Sequence, residues 1–159
     1  MKMDTEEEFV KIVIDLPDTE DGVSGEGIWS VRIGEDLYEV RNSPWHSIDI
    51  NYLDVVRAIS PNEDKKPVVT EVVHRRGHRT IQVIFLDEGI DQKDSVISRL
   101  KELGGTYEGA HSTLIAVDIK PEVDIDPIAE YLGECEADGW LSYRHAPQPQ
   151  PKGTGDLVN

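Results

Sequence analysis

The chain has 159 residues, 32 of them Asp or Glu against 16 Lys or Arg, which gives a formal charge of −16 at neutral pH. That length suits one domain, or two small modules sharing a core, and needs no staple to fold. The single cysteine, Cys135, excludes an internal disulfide framework, and no apolar run approaches the roughly 20 residues that span a bilayer.

The opening MKMDTEEEFVKIVIDLPD sets Asp4, Glu6, Glu7 and Glu8 before any apolar run, the reverse of a secretory signal, and predicts a cytoplasmic protein. After an acidic segment over 1–8, residues 9 to 16 alternate, with Val10, Ile12, Ile14 and Leu16 on one face, so a strand covered on one side is expected. A loop follows, and residues 28–33 and 37–41 form a predicted hairpin across IGED, in which Trp29, Val31 and Ile33 share a face and meet Leu37 or Tyr38. Pro44 marks a turn, Val55 and Val56 favour a short strand, and SPNEDKK reads as a solvated loop. Residues 68–74 and 80–86 read as a second hairpin around RRGH. The first half is thus an antiparallel sheet or small barrel over 9–79. Phe9 to Leu16 is its candidate edge, available for pairing with a second copy.

The second half, 80–146, reads as a ferredoxin-like β-α-β-β-α-β unit sharing one core with the first. Asp91 or Asp94 is placed to cap a helix with Val96, Ile97, Leu100 and Leu103 on one stripe, and Gly104 and Gly105 stop it. Residues 106–108 and 112–119 pair across Gly109 to His111. Asp126 and Pro127 start a second helix with Ile128, Leu132 and Cys135 on its buried face, Gly139 ends it, and WLSYRH returns to the sheet. The architecture is therefore α+β, with a flexible Pro-rich tail over 147–159.

Chemistry is sparse. HRRGHR gathers His74, Arg75, Arg76, His78 and Arg79, which could hold an anion bidentately through guanidinium groups, but which reads more readily as a wet polar turn because the spacing matches no metal or catalytic motif. His46 and His111 lie near Ser43, Ser47 and Ser112, but no G-x-S-x-G elbow is present. The acidic runs lack the glycine and terminal glutamate of a calcium loop, GVSGEG lacks the Lys-Ser/Thr of a phosphate-binding loop, and Cys135 falls on a buried stripe. No cofactor or metal is expected.

Charge is unevenly spread. Residues 87 to 138 hold fourteen acids against Lys93, Arg99, Lys101 and Lys120, whereas 41 to 80 hold seven basic residues against five acids. A field of this sign repels nucleic acid and acidic membranes and steers a basic protein partner. The acids expected to meet it are Asp87, Glu88 and Asp91 in a loop and Glu130, Glu134, Glu136 and Asp138 on the last helix, with Trp45, Tyr107 and Trp140 as candidate anchors.

VKIVIDLPD, the first-hairpin tryptophan, LYEVRNSPW followed by LDVVRA, GHRTIQVIF, LGGTYEG, LIAVDI and a final helix ending in DGW together resemble a family of short bacterial proteins known only as a domain of unknown function. The likeness spans residues 10 to 145, and this chain departs from it at His46 and Asp49, where small residues are expected, and at Leu53, where a glycine is expected. It implies a fold and a bacterial origin, and no activity. Size and charge then favour a non-catalytic acidic protein-binding protein, most specifically an immunity protein or antitoxin that neutralises a bacterial toxin. The alternative is a small-molecule sensor or weak enzyme using His74, Arg75, Arg76, His78 and His111.

Overall fold

A computed structural model describes residues 8–16 and 25–145. The acidic segment up to Glu7 and the Pro-rich tail lie outside the described residues. Five strands, β1 (Phe9–Asp15), β2 (Gly25–Gly34), β3 (Leu37–Val40), β4 (Val55–Ile59) and β5 (Val68–His74), pair in sequence order and close into a barrel. Closure comes from a parallel bridge between Val13 and Val68, with the Val13 N–H donating to Pro67 O at 2.9 Å. Alternation along the strands turns Ile12, Ile14, Ile28, Tyr38, Val40, Val56 and Ala58 into the barrel core.

One expectation about this half fails: strand β1 is no edge, because β2 and β5 flank it on both sides. Trp29 and Ile33 do share a face, the outer one, with exposures of 47 % and 49 %, whereas Tyr38 pairs with Arg32 and turns into the core, which leaves Leu37, in phase with Glu39 opposite Val31, on the outer side. A narrow five-stranded interior takes Ile28 and Ser30 from β2. Trp29 stays outside under the Lys11 ammonium, 4.5 Å from its ring.

The second sheet contains β6 (Arg79–Phe85), β7 (Gly105–His111), β8 (Leu114–Ile119) and β9 (Leu141–His145), in the order β7-β8-β6-β9 with every pair antiparallel. Helices α1 (Lys93–Glu102) and α2 (Asp126–Ala137) cover one face. Ile81, Val83, Ile115 and Val117 meet Val96, Leu100, Ile128 and Leu132 there, all almost fully buried. Neither aspartate caps α1. Its N-cap is Gln92, because a 3-10 turn over Asp87–Gln92 precedes it and leaves Asp94 in the first helical turn. The β7–β8 turn falls at Ser112–Thr113, two residues later than expected. Gly104 (φ 106°) and Gly139 (φ 82°) end the helices in left-handed conformations that favour glycine.

The expected β5–β6 hairpin does not form. Strand β5 pairs with β4 and β1, and β6 lies between β8 and β9, so the RRGH segment joins the two sheets. Both strands spend their backbone donors elsewhere, and a short polar turn between them imposes no pairing. Leu53, at the departure from the family pattern, has φ 69° and carries strain a glycine would not. Among the described residues no helix is long and apolar enough to cross a membrane.

Candidate functional site

The barrel and the second sheet meet through the connection from Arg41 to Asp54. Three backbone N–H groups in it, those of Trp45, His46 and Ser47, donate to the Glu26 carboxylate at 2.6, 3.1 and 3.0 Å. Glu26 sits on the inward side of β2 and is buried, and charge-assisted bonds of this kind offset removing a carboxylate from water. From the other side, Glu108 accepts the Ser43 N–H at 2.7 Å, and Gln82 Nε2 donates to Pro44 O and Ser47 O at 3.2 and 2.8 Å. Arg144 donates from Nε to Gln82 Oε1 (2.6 Å) and from Nη2 to His46 O (2.8 Å). The sheet face not covered by helices therefore carries the polar side chains that hold the 43–47 turn, which Glu26 in turn ties to the barrel.

The HRRGHR residues lie at this joint and are largely spent on it. Arg75 donates to Asp49 O at 2.8 Å and to the carboxylates of Asp49 and Asp54 at 3.2 and 3.5 Å. Arg76 pairs with Glu39 at 3.3 Å, and its N–H donates to Asp54 at 3.3 Å. His78 Nδ1 sits 2.9 Å from both oxygens of Asp118, and its ring meets Tyr52 edge-on with centroids 5.2 Å apart. Arg79 ties to Lys120 O and Val123 O. Burial holds the carboxyls of Asp54 and Asp118 above the usual carboxylate value, against the pull of backbone N–H groups and Arg75 on the first and of His78 on the second. His74 is exposed at the end of β5, and His111 ends β7 opposite Leu114, lining a separate cleft.

The structure brings together acids distant in the chain. The Leu86 N–H donates to Trp140 O at 2.9 Å, and Gly89 packs so closely on Trp140 that a β-carbon there would overlap its carbonyl. This sets Asp87, Glu88 and Asp91 beside the C-terminal end of α2, where Glu134, Glu136 and Asp138 lie, with Glu130 one turn back. All seven side chains are exposed. Three of these acids stand where the helix dipole is negative and no basic residue occupies the last turn of α2, so the local field disfavours them. Of the candidate anchors, Tyr107 is 38 % exposed, whereas Trp140 packs on the core and Trp45 is partly buried with its indole N–H lacking a partner among the described residues. Burial raises the Cys135 thiol above its ordinary value, in keeping with an inert core position.

Glu26, Gln82, Glu108 and Arg144 escaped the sequence reading. Only the alternation placing Glu26 in phase with Ile28 carried a signal.

A family model described as a domain of unknown function (DUF4265) matches residues 26–143. A crystal structure of a hypothetical protein from Neisseria gonorrhoeae matches with a TM-score of 0.76 at 18 % identity, covering 92 % of this chain and 100 % of that one. This likeness is one of fold. No curated protein matches the chain.

Proposed function

The chain belongs to the DUF4265 family, and we propose that it is an acidic, non-catalytic protein-binding domain that neutralises or regulates a basic protein partner. In its most specific form it is an immunity protein or antitoxin of the bacterial cytoplasm. The observation that carries this reading is the acidic edge, where Asp87, Glu88 and Asp91 adjoin Glu134, Glu136 and Asp138 against an unfavourable helix dipole. A charge arrangement that lowers the stability of the free protein gains a rationale when a cationic surface docks on it. The order β7-β8-β6-β9 with two helices on one face supports a ferredoxin-like description of the second unit, with α2 as its outer rim.

The test is affinity capture from the native host at low and moderate salt, run in parallel with a variant carrying Glu130→Gln, Glu134→Gln, Glu136→Gln and Asp138→Asn. A basic partner retained by the wild type, released by salt and missed by the variant supports the reading. Identical captures by the two proteins sink it. The sensor alternative has less support, because Arg75, Arg76 and His78 are engaged with protein carboxylates and His111 lines a cleft of its own.

A further inference from the structure

We propose that the cleft beside Arg144, between the uncovered face of the second sheet and the Trp45–His46 turn, binds a small organic carboxylate with an apolar body. The cleft has a volume of about 250 Å³, below the ~300–1,000 Å³ of drug-sized pockets, and so suits a single-ring or short-chain acid. In a chain with twice as many acids as bases, none of its lining residues is Asp or Glu.

Its cationic group is built in. Gln82 is fixed by its two bonds to Pro44 O and Ser47 O, and holds Arg144 through Nε, while His46 O takes one hydrogen of Nη2. The Nη1 hydrogens and the second Nη2 hydrogen have no acceptor among the described residues, and they form the fork that binds a carboxylate bidentately. His111 Nδ1 accepts the Thr113 N–H at 3.3 Å, so the neutral ring carries its proton on Nε2 and offers a second donor at the rim. The apolar part is Leu114, the Trp45 ring and Ile84, which is 51 % exposed although it sits on the central strand β6.

The adjoining cleft on the far side of Arg144, about 420 Å³, is lined by Asp15, Asp49 and Glu71 and repels an anion, which directs the ligand to the first. Nearby carboxylates are occupied, Glu108 by the Ser43 N–H and Glu136 by the Ser142 hydroxyl at 3.4 Å. The acidic edge meets this cleft through the Glu136–Ser142 bond, but the proposal does not rest on the partner-binding reading of that edge.

The experiment is a titration of the full ¹⁵N-labelled chain with benzoate and octanoate, with neutral benzamide as control. It follows the Trp45 indole N–H, assigned through Trp45→Phe. A saturable shift is expected with at least one acid, roughly tenfold weaker with benzamide and with Arg144→Gln, and partly kept in Arg144→Lys. Because Arg144 also ties the two sheets, Ile84→Asp gives a second route: it places a negative charge on an exposed position and should abolish the shift with the spectrum otherwise folded. No saturable shift with either acid, equal binding of benzamide, or unchanged binding in Ile84→Asp would overturn the proposal.

Discussion

Gly89 and Trp140 are in backbone contact: a β-carbon on Gly89 would collide with the Trp140 carbonyl, whose oxygen also accepts the Leu86 N–H. That contact holds the 3-10 turn against the end of α2 and joins the two acidic stretches. Gly89→Ala should cost about 1–3 kcal/mol, because rigid backbone cannot yield as a side chain would. Urea unfolding checks the cost. Capture of the basic partner should weaken with it, since the same substitution parts the acids.

Neutralising the end of α2 should stabilise the free protein. Each of Glu134→Gln, Glu136→Gln and Asp138→Asn removes a negative charge from the negative end of the helix dipole, worth about 0.3–1 kcal/mol at low salt before solvent screening reduces it. Thermal melts at low and high salt should show a gain that shrinks with salt. A loss of stability at both salts contradicts the reading of these acids as functional.

Glu26 should be the costliest surface-distant acid to remove. Glu26→Ala leaves three backbone N–H groups of the Trp45–Ser47 turn without their acceptor, a loss of about 3 kcal/mol or more. Glu26→Gln keeps one oxygen and should lose less. Denaturation of the two variants measures the difference, and loss of the Trp45 indole shift on benzoate addition would follow from the disordered turn.

The buried aspartates set a pH dependence of defined sign. Burial raises the Asp54 carboxyl above 3.8, so the folded chain keeps this proton to higher pH than the unfolded chain does. Its contribution is complete below the unfolded value and is lost as pH rises from about 3.8 through the folded value. Asp118 behaves alike. Asp54→Asn should therefore gain stability relative to the wild type across that window and run parallel to it above. Urea midpoints measured at a series of pH values test this, and a difference independent of pH refutes it.

Leu53→Gly should raise stability by about 1 kcal/mol, because the residue holds φ 69° and glycine removes the steric cost at the expense of some chain entropy. Leu53→Ala keeps the strain and should not gain. Chemical denaturation of the pair distinguishes them.

Much of this fold is legible in local pattern. Period-two alternation in β1, the 3.6-residue stripe of Val96, Ile97 and Leu100, that of Ile128, Leu132 and Cys135, and the glycines that end both helices fix element type and inward face, because each depends on neighbours a few residues away. Pairing between strands is another matter. Strands β5 and β6 are separated by a turn that suits a hairpin, yet they belong to different sheets, because β1 and β4 satisfy one and β8 and β9 the other. Alternation puts Trp29 on one face with Val31 and Ile33, but only the closed barrel decides that this face is the outer one.

The acids separate the two kinds of information most clearly. Composition established an acidic molecule and the stretches where charge concentrates. It did not distinguish Glu26, Asp54 and Asp118, which are buried and hold the halves together, from the exposed acids at the end of α2. A carboxylate's role depends on whether backbone N–H groups, a histidine or water surround it. Those neighbours, such as Trp45 for Glu26 and His78 for Asp118, lie 19 and 40 residues away, so only the tertiary structure decides it.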